Sequence, residues 1–217
     1  MQKPELFISN ENAFQMYQTK KLKFLIYIYP MGLINEIAQL THLSQEAEIF
    51  LREHMQSRKI KKGEQLLDIN QACNYLYFID KGILRGHYFL ETKEITNWFA
   101  QENEFATCFY SFIAKKPSVE GIQALENSEI TQISYSALQT LYSTFPETER
   151  AGRIITETYY LKLEERLLSI QFKSAKERYQ NLLETKPSIV KRAAMGQIAT
   201  YLGISQETLS RMRADLG

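Results

Sequence analysis

The side chains best suited to a chemical task lie within residues 195–213, near the C-terminal end of the 217-residue chain. Three of them can hydrogen-bond to base edges in the DNA major groove: Arg211 to guanine, Gln206 to adenine and Glu207 to cytosine. Residues three and four positions apart share a face of a helix, which places Glu207, Ser210 and Arg211 together. These residue types and this spacing predict sequence-specific reading of double-stranded DNA.

The same segment has the residues that a helix-turn-helix needs to hold such a face. Gly203 stands where a short turn between two helices needs a left-handed backbone conformation, which Gly adopts without a steric penalty. Ser205 can cap the helix that follows. The positions predicted to face the core are small or apolar: Ile198, Ala199, Leu202, Ile204, Leu209 and Met212. Agreement at so many positions favours a DNA-binding motif over an ordinary helical hairpin with a polar outer face.

Contacts to the DNA backbone are predicted on either side of the base-reading residues, and such contacts position a protein without reading sequence. The candidates are Lys191, Arg192, Arg213, Ser205, Thr208 and Ser210. Charge supports this location, because residues 173–217 contain eight Lys or Arg and four acidic residues, whereas the rest of the chain contains 18 basic and 21 acidic ones. A basic end behind an acidic body suits one DNA-facing module, although a solvated basic face would have the same composition.

A long helix is predicted to precede the DNA-reading segment, over residues 144–172. Thr144 and Glu147 have the spacing of a capping box, and Pro146 suits a first helical turn. Two apolar stripes follow, the first of Ile155, Tyr159, Leu163, Leu167 and Ile170, the second of Ile154, Thr158, Leu161, Leu168 and Phe172. The first would pack on its own subunit and the second would form a homodimer. A wide core-facing helix in a monomer is the alternative.

Residues 31–143 change from a helical to a β-rich pattern. Apolar residues at helical spacing run from Leu33 to about Met55, with Ser44 as a plausible N-cap of a second helix. Beyond Arg58, short apolar and aromatic stretches predict strands at 65–69, 75–80, 83–90, 96–99, 120–125 and 129–134. Such strands favour a β-sandwich or barrel. With a helical C-terminal domain at 173–217, the predicted fold class is α+β.

Residues 1–30 are polar, then lysine-rich, then apolar, and Met31 follows Pro30 at once. One hypothesis is that Met31 is the biological start and that residues 1–30 are an extension that is not native. The apolar run at 24–34 resembles part of a signal peptide, but it is too short to span a bilayer and lacks a small-residue cleavage site. Two cysteines without a Cys-x-x-Cys motif fit a reducing cytoplasm and argue against a disulfide scaffold.

The order of β domain, long helix and helix-turn-helix resembles the Crp/Fnr family of bacterial transcription regulators, over about residues 33–217. Four motifs carry the resemblance: Ser205-Gln-Glu-Thr-Leu-Ser-Arg211, Lys162-Leu-Glu-Glu-Arg-Leu-Leu168, Lys61-Lys-Gly-Glu64 and Tyr77-Phe-Ile-Asp-Lys-Gly82. It implies a jelly-roll (double-stranded β-helix) effector domain of the cyclic-nucleotide-binding type, a homodimer across the long helix and a palindromic operator. Glu207 and Arg211 match the family's base-reading pair. Gln206 replaces an Arg of the catabolite-activator members, which implies a different DNA sequence.

The effector region departs from the family pattern. Members that bind cyclic nucleotides carry Phe-Gly-Glu, whose Glu accepts from the ribose hydroxyl, and then Arg-Ser/Thr-Ala, whose Arg pairs with the phosphate. The matching stretches here are Phe105-Ala-Thr-Cys108 and Lys115-Lys-Pro-Ser-Val-Glu120, which lack both charged groups. Tight binding of cyclic AMP is therefore not expected. The candidate pocket residues are Phe105, Thr107, Cys108, Lys115, Lys116 and Ser118. The chain also ends four residues after Arg213, so little or no wing is expected, unless the chain is clipped.

Other function classes fit the sequence less well. No enzyme is expected, since the sequence has no glycine-rich phosphate loop, Gly-x-Ser-x-Gly or His-x-x-x-His. A cupin-like enzyme would need metal ligands, and the three histidines lack ligand spacing, so no metal or cofactor is predicted. Cys108 is a candidate redox or electrophile sensor, with a buried structural cysteine as the alternative. A ligand-binding or protein-interaction module without DNA binding stays open. RNA polymerase and an unidentified small-molecule effector are further candidate partners.

Overall fold

The computed structural model describes residues 32–216 of the chain. The proposed extension at residues 1–30 and the proposed start at Met31 lie outside the described residues. Within the described part, no helix has both the length and the apolar character that a membrane crossing requires. The secondary structure begins with two helices, continues as a β-roll and ends in a series of six helices that starts at Tyr135.

The two N-terminal helices are α1 (Gly32–Leu40) and α2 (Gln45–His54), as the apolar spacing predicts. Ser44 is confirmed as the N-cap of α2, because its hydroxyl accepts a hydrogen bond from the Ala47 amide at 3.3 Å. Capping of this kind stabilises a helix by about 1 kcal/mol. The buried apolar residues of the pair are Leu33, Ile34, Ile37, Ala47 and Leu51. All of them except Ala47 belong to the core cluster of the β-roll.

The β-roll consists of two four-stranded antiparallel sheets in the described part of the chain. In order across the first sheet these are β1 (Met55–Ile60), β8 (Ser128–Ser134), β3 (Tyr75–Lys81) and β6 (Phe105–Ala106). Across the second they are β2 (Gln65–Leu67), β7 (Gly121–Ala124), β4 (Leu84–Leu90) and β5 (Lys93–Ala100). The six predicted strand regions are confirmed to within a few residues. Strands β1 and β6 were not predicted, since one is largely polar and the other is two residues long.

The core of the roll is built from the inward side chains of both sheets. Phe78, Ile79, Leu84, Ile122 and Ile130 are all fully buried. Burying one such side chain stabilises the fold by about 1.5 to 3 kcal/mol. The turn between β3 and β4 depends on glycine, because Gly82 has a φ of +108° and a Cβ there would lie 2.1 Å from the Ser128 Oγ.

Two helices follow the roll: α4 (Tyr135–Thr144) and the long helix α5 (Glu147–Phe172). The predicted end of α5 is confirmed, but the predicted capping box at its start is wrong, since Thr144 is the last residue of α4. Pro146 occupies the cap position of α5, and no side chain caps it. Glu147 instead accepts a hydrogen bond from the Ser44 hydroxyl at 2.6 Å. The start of α5 is thereby tied to the start of α2.

The C-terminal unit has four helices: α6 (Ala175–Thr185), α7 (Pro187–Arg192), α8 (Met195–Leu202) and α9 (Gln206–Leu216). Ser174 and Glu177 form a capping box at the start of α6. The buried members of the unit's own core are Tyr179, Leu182, Ile198, Ala199, Leu202 and Leu209. This small core is separate from that of the roll, and it fixes α9 against α8.

The C-terminal unit packs directly on the second sheet. The Thr96 amide on β5 donates to the Thr200 hydroxyl on α8 at 3.2 Å, and the rings of Phe99 and Tyr201 lie 5.1 Å apart. The guanidinium carbon of Arg166 on α5 also lies over the Tyr201 ring, 3.8 Å from its centre, and Arg166 donates a hydrogen bond to the Tyr201 carbonyl. Strand β5, the long helix α5 and the C-terminal unit therefore meet at Tyr201.

Candidate DNA-binding surface

The turn between α8 and α9 has the geometry that the sequence predicts. Gly203 adopts a left-handed conformation with φ +70° and ψ 32°, and its amide donates to the Thr200 carbonyl at 3.1 Å. Ser205 then caps α9, because its hydroxyl accepts from the Thr208 amide at 3.2 Å. The turn sets the angle between the two helices, and the cap fixes where α9 begins.

The face of α9 that is turned away from the core carries the predicted base-reading residues. Gln206, Glu207, Ser210 and Arg211 are all exposed, whereas Leu209 on the inner face is fully buried. A hydrogen bond from the Ser205 hydroxyl lowers the pKa of Glu207, and the Arg211 charge adds to this effect. Glu207 is therefore a carboxylate at neutral pH and can accept a hydrogen bond from a cytosine amino group.

Gly196, at the first turn of α8, is a contributor that sequence reasoning missed. A Cβ at this position would lie 2.4 Å from the amide nitrogen of Gln206. The absent side chain thus leaves room for the Gln206 amide against α8. A glycine within a predicted helix lowers the stability of that helix. Its presence at position 196 was therefore a sign in the sequence that the position serves packing or function.

The predicted flanking residues fall into two groups. Lys191 and Ser210 are exposed, and Thr208 is half-buried beside the Ser205 cap. Arg213 is engaged within the unit: its Nε donates to the Tyr179 hydroxyl at 3.1 Å. In this conformation, the basic side chain most open to a phosphate among these flanking residues is that of Lys191.

Arg192 is bound to carboxylates of the β-roll. Its guanidinium donates to Glu102 at 2.6 and 2.9 Å and also to Glu126. These hydrogen bonds raise the pKa of Arg192, and the bond from Arg192 lowers the pKa of Glu102 to about 2. A neighbouring ion pair joins Lys186 to Glu104 at 2.8 Å. Two ion-pair clusters therefore hold the C-terminal unit to the roll.

The predicted effector-pocket residues divide between core and surface. Thr107, Cys108 and Ser118 are buried, and Phe105 packs edge-on against Phe78 with ring centres 5.2 Å apart. Lys115 ends the short helix α3 (Phe109–Ala114), and its ammonium lies 3.2 Å from the centre of the Tyr135 ring. Lys116 is exposed. The two lysines and the buried hydroxyls therefore do not converge on one anion site in this conformation.

An aromatic contact links the effector region to the long helix. Phe109, the first residue of α3, lies against Tyr159 of α5 with ring centres 4.0 Å apart. Burial raises the pKa of the Tyr159 hydroxyl well above its ordinary value, so the residue is neutral at physiological pH. The contact places Tyr159 on the side of α5 that packs on the roll, as predicted for the first apolar stripe. For the later members of that stripe the prediction is wrong, because Leu163, Leu167 and Ile170 are exposed.

Solved structures of bacterial regulators have the same fold as this chain. A CooA mutant from Carboxydothermus hydrogenoformans has 17% identity and a TM-score of 0.61, over 83% of this chain and 82% of its own. FixK2 from Bradyrhizobium japonicum has 19% identity and a TM-score of 0.63, over 75% and 84%. A protein from Eubacterium rectale, described as a regulator of the Crp/Fnr family, has 18% identity and a TM-score of 0.62, over 78% and 82%.

No protein-family model matches the chain, and no curated protein matches it. The similarity to these structures therefore concerns the fold. It confirms the predicted architecture of a β-roll domain, a long helix and a helix-turn-helix unit.

Proposed function

We propose that the protein is a sequence-specific DNA-binding transcription regulator of the Crp/Fnr type. The observation that carries the proposal is the joint exposure of Gln206, Glu207 and Arg211 on the helix that follows the Gly203 turn. Early residues of a recognition helix are those that reach base edges in the major groove. The fold shared with known regulators supports this role, which is regulatory rather than catalytic and belongs in the cytoplasm.

The proposal includes a homodimer that pairs the exposed apolar side of α5 with its counterpart. Leu161, Leu168 and Phe172 of the second predicted stripe are 57%, 47% and 78% exposed. Leu163, Leu167 and Ile170 of the first stripe are similarly exposed, so the apolar surface open to a partner is wide. A continuous apolar stripe of this kind is more typical of an interface than of a solvated helix. Twofold symmetry would present two recognition helices to a palindromic operator.

The effector is proposed to be something other than cyclic AMP. The positions that match the family's ribose-binding Glu and phosphate-binding Arg hold neither residue, and Lys115 lies over the Tyr135 ring. Loss of these charge-assisted hydrogen bonds removes the strongest contacts to the nucleotide. Calorimetric titration with cyclic AMP is expected to give no micromolar binding. A dissociation constant in the micromolar range or tighter would contradict this part of the proposal.

Selection of bound sequences from a random DNA pool tests the main proposal. The expected result is an enriched palindrome whose half-sites lie about one helical turn apart. The matched control is the Arg211→Ala variant, for which the preference at one position of each half-site is expected to relax. No enrichment with the wild-type protein would favour the alternative, a ligand-binding or protein-interaction module without DNA binding.

A further inference from the structure

The two cysteines of the chain, 35 positions apart, meet inside the effector domain. Cys73 precedes β3 and Cys108 precedes α3; both are free thiols and fully buried. The Cys73 sulfur lies 3.2 Å from the Thr107 hydroxyl oxygen, and the Cys73 amide donates to the Ser111 hydroxyl at 2.8 Å. The Cys108 thiol donates to the Glu120 carbonyl at 3.7 Å, and Cys108 directly follows Thr107 in the chain, which brings it beside the Cys73 sulfur. Strand pairing and helix α3 thus build a dithiol in the predicted effector region.

The surroundings make the two sulfurs chemically unequal. Hydrogen bonding with Cys108 and with the Thr107 hydroxyl lowers the pKa of Cys73, although burial opposes this. The bond to Cys73 and burial raise the pKa of Cys108. The Thr107 hydroxyl also donates to the Tyr75 carbonyl at 2.9 Å, and it can turn towards the sulfur when Cys73 is ionised. Cys73 is therefore the nucleophile and Cys108 the proton-bearing neighbour.

We propose that Cys73 and Cys108 form a reversible intramolecular disulfide, with a small hydroperoxide as the oxidant. The Cys73 thiolate attacks the terminal peroxide oxygen, the O–O bond breaks, and protonation of the leaving oxygen gives an alcohol, or water from hydrogen peroxide. Cys73 becomes a sulfenic acid. The Cys108 sulfur then attacks the Cys73 sulfur, the S–OH bond breaks, and the Cys108 proton leaves with hydroxide as water. Two thiols lose two electrons and the peroxide gains them.

Burial determines which oxidants can act on this site. Both cysteines have at most 1% of their surface exposed, so a bulky disulfide such as oxidised glutathione cannot reach the folded protein's sulfurs. A molecule the size of hydrogen peroxide needs only a small opening beside α3. Cys108 immediately precedes Phe109, whose ring packs on Tyr159, so a new S–S bond would pull on the start of α3 and on its contact with α5.

The experiment uses the reduced full-length chain treated with hydrogen peroxide, quenched with catalase, unfolded and alkylated before mass spectrometry. We expect loss of two alkylation sites, a Cys73–Cys108 linked peptide and full recovery of both sites after a dithiol reductant. Oxidised glutathione should give this product only in urea. Two alkylated thiols, a disulfide between chains, or sulfinic acid without a cross-link would each overturn the proposal.

Single variants test the separate roles of the two sulfurs. Cys108→Ser should stop at a sulfenic acid on Cys73, trapped by dimedone, whereas Cys73→Ser should leave Cys108 unreacted under the same peroxide dose. Dimedone adducts on Cys108 alone would reverse the assignment and contradict the mechanism. Circular dichroism checks that both variants fold. If either does not, the time course of the wild-type protein decides, because a Cys73 sulfenic acid must precede the cross-link.

Discussion

Gln206, Glu207 and Arg211 can face DNA because other residues of the same unit take the structural tasks. Leu209 binds α9 to the core, Ser205 caps it, and Gly196 leaves space for the Gln206 amide. The outer side chains are therefore not needed to keep α9 packed in place. This division of tasks predicts that changes on the outer face alter DNA binding with little effect on folding.

Arg211→Ala is expected to weaken binding to the selected operator by about 1 to 3 kcal/mol, because a bidentate contact to guanine is lost. Preference at that base pair should relax, while the midpoint of thermal unfolding stays the same. Fluorescence anisotropy with the operator and with single-base variants measures both effects. Unchanged affinity and preference would remove Arg211 from the base-reading residues.

Lys191→Ala serves as the comparison with Arg211→Ala. Lys191 is exposed, and its ammonium is a point charge that can bind a phosphate but lacks the planar fork with which Arg reads guanine. It is expected to weaken operator and unrelated DNA alike and to reduce the salt slope of binding by about 1. Lys93→Ala, at the exposed start of β5, is the matched control and should change neither quantity. A loss of specificity in Lys191→Ala would contradict the phosphate assignment.

At the scale of elements, the turn of the helix-turn-helix depends on one backbone conformation. Gly203→Ala has room for its Cβ, whose nearest neighbour would be Arg178 at 4.0 Å, but φ +70° is unfavourable for Ala. The expected loss is about 1 to 2 kcal/mol of unfolding free energy. Gly203→Asn should lose less, because Asn tolerates this region better. Urea unfolding of the two variants measures the difference, and equal stability of wild type and Gly203→Ala would contradict it.

The long helix offers a second prediction for an element. Leu161→Glu places a charge in the stripe that we assign to the dimer, and it should convert a dimer of the 25.4-kDa chain into a monomer. Gln171→Glu is matched to it, since it adds the same charge at an exposed polar position of the same helix. Light scattering after size exclusion gives the masses. A wild-type monomer, or dissociation by both variants, would contradict the assignment.

The elements also show where sequence reasoning succeeds and fails. Ser44, Gly203 and Ser205 act locally, so their roles follow from neighbours a few positions away, and all three were predicted correctly. Strand β1 was not predicted because residues 56–59 are polar and exposed, and its pairing with β8 is set by the sheet. Thr144 has the spacing of a cap, but the preceding helix α4 uses it as its last residue.

At the scale of the whole molecule, contacts between distant segments decide what a side chain does. Arg192 has the charge and location of a phosphate ligand, but the fold brings Glu102 and Glu126 to it. Cys73 and Cys108 meet for the same reason. Contacts between residues so far apart in the chain leave no local sequence pattern. The sequence alone therefore predicted the candidate DNA-backbone residues and the effector region less well than it predicted the outer face of α9.

The Arg192–Glu102 contact predicts a pH dependence of stability. The pKa of Glu102 falls from an ordinary value of 4.5 to about 2 in the folded protein, because Arg192 hydrogen-bonds to its carboxylate. A depressed folded-state pKa contributes stability in full above the unfolded value, and that contribution is lost as the pH falls from about 4.5 towards 2. Since both side chains are about one-third exposed, solvent screening keeps the contribution small.

Glu102→Gln should therefore lower the urea midpoint of unfolding at pH 7. At pH 2 to 3 the midpoints of the variant and the wild-type protein should approach each other, because Glu102 of the wild type is then becoming protonated. Circular dichroism at a series of pH values measures the difference between the two proteins. Glu129→Gln is the control, because its pairing with Lys59 lies at 3.6 Å within the roll and both side chains are exposed. A difference that stays constant between pH 7 and pH 2 would mean that Arg192 does not hold Glu102 ionised, and that the Lys186–Glu104 pair and the packing at Tyr201 and Ile189 join the C-terminal unit to the roll.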